Sequence, residues 1–225
     1  MKKFTALLLA FILVIGLTAC GSGAGAGNGA GSGDASTGGI SKSSQEFIDA
    51  LNAENAEEKG VCGADLTWYY KDNVLVIKGT GPMNDYDFFR GIEAPWYDKG
   101  LENKVHWLII GEGVTSIGDD AFGGIDSLSK VELPNTIETI GEGAFSHCDS
   151  LSSFTIPGSV AEIGNSLFRG CHSLSSIVFE GDAPEIEEYT RMFDGCELEQ
   201  LTVTYSGSGF EPLIEAYPEI NWVKK

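Results

Sequence analysis

Two histidines and two cysteines stand close together in mirrored order, His147-Cys148 and Cys171-His172. Imidazole and thiolate are the ligands of tetrahedral zinc sites and the base and nucleophile of cysteine hydrolases, so this set offers more chemistry than any other. Either use requires the side chains to converge, and their order works against it. If the cysteines point inward, their neighbours point outward, and the two histidines lie on opposite sides of the cysteine position. Paired carboxylates occur at Asp119-Asp120 and from Glu185 to Glu188. In a chain with 33 acidic and 14 basic side chains, such pairs read as solvated turns. No nucleophile elbow, phosphate loop, H-E-x-x-H or dinucleotide fingerprint occurs, and aspartates do not recur in phase as a calcium ladder needs. The residues therefore predict no catalytic centre, no metal and no cofactor, and the expectation is a protein that is not an enzyme.

What must position these residues is a repeat. Ile117-Gly118 followed by Ala121-Phe122 returns as Ile140-Gly141 with Ala144-Phe145, and as Ile163-Gly164 with Leu167-Phe168, each 23 residues on. A phrase recurring in register means one supersecondary unit stacked repeatedly. A second phrase, apolar at positions one, four and six, runs through Val105-Leu108-Ile110, Leu128-Val131-Leu133, Leu151-Phe154-Ile156, Leu174-Ile177-Phe179 and Leu198-Leu201-Val203. Its alternation is that of a strand with one face buried, one strand per unit. Stacking predicts columns: Ile117, Ile140, Ile163 and Ile186 in one, and Phe122, Phe145, Phe168 and Phe193 in another. Glycine at 118, 141 and 164 is expected where a tight bend needs positive φ, and a bulky residue at Gly141 should kink the stack.

The segments VTSIGDDAFGG, IETIGEGAFSHCDSLS and VAEIGNSLFRGCHSLS resemble the BspA-like leucine-rich repeats of bacterial surface proteins. Upstream, CGADLTWYYKDNVLVIKGTGPMNDY and APWYDKG resemble the β-rich segment that often precedes such repeats. The first unit departs from the pattern, with Ile125 where later units have Cys148, Cys171 and Cys196. The fold class expected is a β-rich (α+β) repeat solenoid of about five parallel strand rungs. An N-terminal β cap and a short helical C-terminal cap would cover its ends.

The organisation follows. Residues 1–19 read as an export signal, with Lys2 and Lys3 ahead of an apolar run too short to span a bilayer comfortably. Leu17-Thr18-Ala19-Cys20 resembles the bacterial lipobox, which implies lipidation at Cys20. Residues 20–42 are a Gly/Ser/Ala tether. Residues 43–59 are a helix opened by a capping box at Ser43-x-x-Glu46. Its narrow apolar stripe points to marginal order, and whether it docks on the body stays open. Residues 60–104 form a β-hairpin cap, with strands around Lys71-Asp72-Asn73 and with Trp96 and Tyr97 as a lid. The repeats occupy 105–204, and 205–225 close the last coil through Phe210, Leu213, Ile214, Tyr217 and Trp222.

At 225 residues and 42% hydrophobic content the chain can bury a core. Export would leave 12 cationic side chains against 33 acidic ones, a formal charge of −21. Nucleic acid and anionic lipid are therefore excluded as partners of the body, and the membrane would be met only through the anchor at Cys20. Cys148, Cys171 and Cys196 share one repeat position and should form a buried column. Adjacent rungs are within disulfide range, but three cannot all pair. Cys62 stands alone, and the redox state of the four stays open.

Alternation places Trp107 and Ile109, Lys130 and Glu132, Ser153 and Thr155, Ser176 and Val178, and Gln200 and Thr202 outward on one sheet. Repeat proteins use such faces for recognition. An apolar end at Trp107 and Ile109 and a small polar centre suit an extended peptide or glycan. The resemblance implies a lipid-anchored extracellular protein that mediates protein or glycan binding, or adhesion, at the bacterial cell surface. The alternative is a passive or self-assembling surface component without a foreign ligand.

Overall fold

The computed structural model describes residues 39–186 and 191–225, within one compact unit, Ser36–Lys225. Cys20, the export segment and most of the expected tether lie outside the described residues, as do Glu187 and Glu188.

Helix α1 (Lys42–Ala50) comes first, and it differs from the expected 43–59 helix at both ends. Its cap is Ser41, whose hydroxyl accepts the Ser44 N–H, rather than Ser43. Beyond Ala50 the chain turns, and Glu58 already belongs to a strand. Strands β1 (Glu58–Val61), β2 (Leu66–Lys71) and β3 (Val74–Gly79) form an antiparallel cap. The hairpin sits where Lys71-Asp72-Asn73 predicts it: Asp72 and Asn73 take φ of 51° and 65°, the paired left-handed residues of a tight two-residue turn.

From here each coil contributes two strands, one on the main sheet and a shorter one on its return. After β4 (Gly81–Pro82) the pairs are β5 (Trp107–Ile110) with β6 (Val114–Ile117) and β7 (Lys130–Glu132) with β8 (Thr139–Ile140). Then follow β9 (Ser153–Ile156) with β10 (Glu162–Ile163) and β11 (Ser176–Phe179) with β12 (Glu185–Ile186). The main-sheet series closes with β13 (Thr202–Tyr205), helix α2 (Glu211–Ala216) and β14 (Asn221–Lys224). The five expected rungs are β5, β7, β9, β11 and β13. Parallel pairing continues past them, to β3 at one end and β14 at the other. The expected tail is thus a strand, held beside β13 while Phe210, Leu213 and Tyr217 bury under it. The main sheet has one break: β1-β2-β3-β5-β7 and β9-β11-β13-β14 are separate ladders, whereas the return strands run unbroken from β4 to β12.

Columns fill the space between the sheets. Ile117, Ile140, Ile163 and Ile186 are in register. The aromatic column starts inside the cap, where Trp96 stacks on Phe122 at 4.9 Å and its indole N–H donates to the Ala121 carbonyl. Phe122 stacks on Phe145, and Phe154 then enters edge-on between Phe145 and Phe168. Trp96 covers the Phe122 ring of the first coil, which would otherwise face water, and so serves as the lid the sequence predicts.

The glycines at 118, 141 and 164 have a different cause from the one expected. None has positive φ; the left-handed position is two residues later, at Asp120, Gly143 and Ser166, with φ of 49°, 60° and 59°. A Cβ on Gly141 would instead lie 2.5 Å from the Asp119 backbone nitrogen, and one on Gly164 would strike the Glu142 backbone. Close approach of successive coils, not backbone strain, requires them.

Candidate binding face

The outward columns pair as alternation predicts over four rungs. Trp107 lies beside Lys130 and Ile109 beside Glu132; Ser153 lies beside Ser176 and Thr155 beside Val178. The fifth rung is shifted. Gln200 belongs to a 3-10 turn, Leu198–Gln200, and Thr202 and Thr204 stand beside Ser176 and Val178. The inward residues of that strand are Val203 and Tyr205, so the apolar frame starting at Leu198 was read two residues too early.

The N-terminal half of the face is covered, contrary to expectation. Trp107 is 5% and Ile109 0% exposed. Val74 and Val76, which share this face, are buried as well. Their cover is α1, whose Phe47 and Ile48 are buried together with Leu51 after its end. Two ionised side chains fasten it. Lys78 donates its ammonium to the carbonyls of Ile48 and Leu51, at the negative end of the helix. At the other end Glu132 accepts the Ser41 N–H at 3.1 Å. Burial alone would push the Glu132 carboxyl up. The hydrogen bonds from Lys130 and Ser44, the Lys130 charge and the Ser41 N–H outweigh it and hold that carboxyl below its ordinary value. Lys130 completes the seal: its ammonium pairs with Glu132 at 2.7 Å and sits 3.8 Å over the Trp107 ring. Lys130 and Glu132 are therefore clamps for α1, and reversing their charges would loosen the fold rather than only alter a ligand contact. The segment expected to be marginally ordered is docked.

The C-terminal half is open. Ser153 and Thr155 are exposed, and Ser176, Val178, Thr202 and Thr204 are half-exposed. The paired strand β14 extends both columns, with Asn221 beside Thr202 and Val223 beside Thr204. Where these strands end, a groove of about 510 Å³ is lined by Asn135, Gly158, Ser159, Val178, Glu180, Ser206 and Lys225 among others. Gly158 lines it and is packed against the next coils: a Cβ on Gly181 would lie 2.8 Å from the Gly158 Cα, and one on Gly207 would hit the Gly181 carbonyl. Close approach of three successive coils thus requires glycine at this bend, and Gly158 leaves its backbone exposed there. The sequence reading missed this groove, although glycine recurring at 158, 181 and 207 is a signal that could have found it.

The candidate chemistry does not assemble. His106, His147 and His172 are all exposed. His147 takes φ of 55° in the column where Gly124, Gly170 and Gly195 take 78°, 73° and 81°. Its ring lies over Gly170, where a Cβ would come within 2.5 Å of its Nδ1. His172 pairs instead with Asp149 at 2.8 Å, and that carboxylate raises the imidazole pKa. Cys148, Cys171 and Cys196 form the expected column, with Cys196 only half-buried, and each thiol donates to the carbonyl of a column phenylalanine, Phe122, Phe145 and Phe168 in turn. Burial pushes Cys62 and Cys171 up to about 12 and Cys196 up to about 11, so their thiolate fraction near neutrality is small. No group of His, Cys, Asp and Glu among the described residues is arranged to hold a metal ion.

The acids of the return sheet have a structural use that the solvated-turn reading overlooked. They line a groove of about 610 Å³ with Asp85, Asp119, Glu142, Glu162 and Glu185. Within it, the Asp85 carboxylate accepts the Asp119 N–H at 3.1 Å and that of Asp119 accepts the Glu142 N–H at 2.7 Å. Asn165 accepts the Arg191 N–H at 2.7 Å. Each side chain ties one coil to the backbone of the next.

The chain is similar over part of its length to several solved structures. A leucine-rich repeat protein from Eubacterium ventriosum is 24% identical, with a TM-score of 0.49 over 66% of this chain and 44% of its own, so this chain spans less than half of that protein's length. One from Bacteroides capillosus is 22% identical, with a TM-score of 0.38 over 54% of this chain and 98% of its own. A leucine rich cell surface protein from Faecalibacterium prausnitzii is 15% identical, with a TM-score of 0.39 over 77% of this chain and 78% of its own. None of the curated proteins matches the chain. No helix among the described residues is long and apolar enough to cross a membrane. Residues 101–212 match the BspA type leucine rich repeat region in six copies, and through this repeat region the chain belongs to the BspA-type leucine-rich-repeat family of bacterial surface proteins.

Proposed function

We propose that this protein is a non-enzymatic, lipid-anchored adhesin that holds an extended protein or glycan segment on the open half of its main sheet. The observation that carries this reading is the run of four rungs, β9, β11, β13 and β14. They present Ser153, Ser176, Thr202 and Asn221 in one column and Thr155, Val178, Thr204 and Val223 in the next. Small side chains at strand spacing let an extended ligand lie close, and hydroxyls and an amide can match its polar groups without long side chains to order. The groove at the strand ends would take a bulkier terminus. The acidity of the chain favours a neutral or cationic ligand over an anionic one.

Binding by Ser153→Arg/Thr155→Arg tests the face. On mucin, matrix-protein and glycan arrays the double variant should lose at least about tenfold in affinity while keeping its unfolding midpoint, since about 1.4 kcal/mol of lost contact suffices. Equal binding by variant and wild type would place the ligand elsewhere. Anchoring at Cys20 is tested separately: Cys20→Ala should abolish labelling by a radioactive fatty acid in growing cells, and undiminished labelling would refute it.

A further inference from the structure

The fold leaves one apolar feature conspicuously bare. Among the described residues five large hydrophobic side chains are exposed, and three of them sit on one loop: Phe88 at 67%, Phe89 at 95% and Ile92 at 54%. This tip is built rather than slack. Phe88–Arg90 is a 3-10 turn capped by Asp87, whose carboxylate accepts the Arg90 N–H at 3.0 Å. Gly91 supplies the left-handed residue, with φ of 71°. Asp87 and Ile92 then close the loop by exchanging backbone hydrogen bonds of 2.8 and 2.9 Å. Asp120, from the next coil, lies by the Phe88 backbone, whose N–H favours its carboxylate form. The turn's hydrogen bonds therefore hold two aromatic rings in water, where they meet edge-on at 6.3 Å but stay 67% and 95% exposed. Rigid exposed aromatics of this kind are the anchors of protein interfaces, because little entropy remains to be lost when they dock.

The surroundings narrow the partner. Asp85, Asp87 and Glu93 lie in the loop, with Asp119 and Asp120 behind it, and the cation between them, Arg90, is tied to Asp87 at 3.3 Å. An acidic rim disfavours an anionic bilayer and calls for an apolar recess edged by cations. The chain itself has a groove of mixed lining, with Val178 and Phe179 as its apolar part and Lys225 as its cation. Lys224 and Lys225 are adjacent cations ending β14, Val223 beside them is 39% exposed, and Lys225 lines the 510 Å³ groove with Val178 and Phe179 in its wall. Glu180 also lines that groove but is half-buried, whereas both lysines are exposed. The tip follows β4, the first strand of the return sheet, and the lysines follow β13 on β14, the last strand of the main sheet. They mark opposite ends of the stack.

We propose that a second copy of this chain seats its Phe88-Phe89 tip in the groove beside Val223, Lys224 and Lys225, so that copies associate head to tail. Such a contact joins two different patches, so it yields chains or rings of many copies rather than two-fold dimers. Two rings and two lysines make a small interface of the weak, transient class. The groove adjoins the proposed ligand face, so the inference rests on that region being open, but it does not depend on Ser153 or Thr155.

Cysteine cross-linking in cells producing the full chain tests it, since the described native thiols are largely buried and slow to react. Phe89→Cys/Val223→Cys should give a ladder of dimers, trimers and larger species under mild copper–phenanthroline oxidation. Phe89→Cys or Val223→Cys alone should give no homodimer, and the two produced together should give one dimer band and nothing larger. Adding Lys224→Glu/Lys225→Glu to the double-cysteine chain should cut the ladder at least about tenfold, whereas adding Ser153→Arg/Thr155→Arg should leave it, which separates this inference from the ligand reading. A missing ladder, homodimers of Phe89→Cys alone, or a cross-link to a protein of different mass would overturn it. The last outcome would assign the tip to a foreign partner.

Discussion

The two halves of the main sheet carry the same repeat, the same alternation and the same outward columns, yet one is a core and the other a surface. On β3, β5 and β7 the outward residues include Val74, Val76, Trp107 and Ile109, and α1 lies over them. On β9, β11 and β13 they are Ser153, Thr155, Ser176, Val178, Thr202 and Thr204, and none of the described residues covers them. The boundary coincides with the break in the ladder between β7 and β9. Pointing out of a sheet is thus not the same as facing water. A column is a candidate binding face only where no other segment of the chain has claimed it, and here a nine-residue helix claims half.

The comparison is most easily broken at Trp107. Trp107→Ala should lower the free energy of unfolding by about 3–5 kcal/mol, the range for a buried ring, as read from urea denaturation. A change near zero would mean that the covered half is not a core. Glu132→Gln should cost about 1–2 kcal/mol through weakened charged hydrogen bonds to Ser41 and Ser44. Its pH dependence has a definite sign. A carboxyl held below its ordinary value of 4.5 stabilises above that pH and loses its contribution as the pH falls through the folded value. Acid should therefore loosen α1, seen as faster amide exchange across Phe47 and Ile48, and Glu132→Gln should remove that part of the dependence. Lys130→Met should cost about 0.5–1 kcal/mol, for a cation over a ring at a partly exposed site, with red-shifted Trp107 fluorescence reporting the opened edge. Smallest of all, Ser153→Ala/Thr155→Ala should stay within about 0.5 kcal/mol of wild type in the same denaturation experiment. A fall beyond about 1 kcal/mol there would show that something covers the second half too.

Much of the scaffold was legible because it is periodic. The isoleucine and phenylalanine columns, the inward cysteines and the hairpin at Asp72-Asn73 are repeated or local signals, and each occurs where the residues predict. The site was only half legible. Ser153, Thr155, Ser176 and Val178 lie on an open face, whereas Trp107, Ile109 and Glu132 are buried or partly buried by a segment more than fifty residues upstream. No periodicity links Phe47 to Trp107, and a narrow stripe on a short helix does not announce what it will cover. The fifth rung slipped for a related reason: the last coil is 26 residues long, from Phe179 to Tyr205, and a register read from leucines alone could not choose between Leu201 and Val203. The recurrence of glycine at 118, 141 and 164 announces a constraint, but the constraint is spacing between coils, a property no single coil possesses.

By itself, then, the sequence determined the coil and its stacking, because a repeated apolar pattern can bury its residues in only one way, against the next copy of itself. Tertiary structure alone decided which part of the outer face remains available. That outcome depends on Lys78 and Glu132 holding the two ends of α1, on bends of successive coils packing closely beside one groove, and on Phe88 and Phe89 being left in water. These are contacts between segments without a shared period, and their free energies depend on distances that only the folded chain sets.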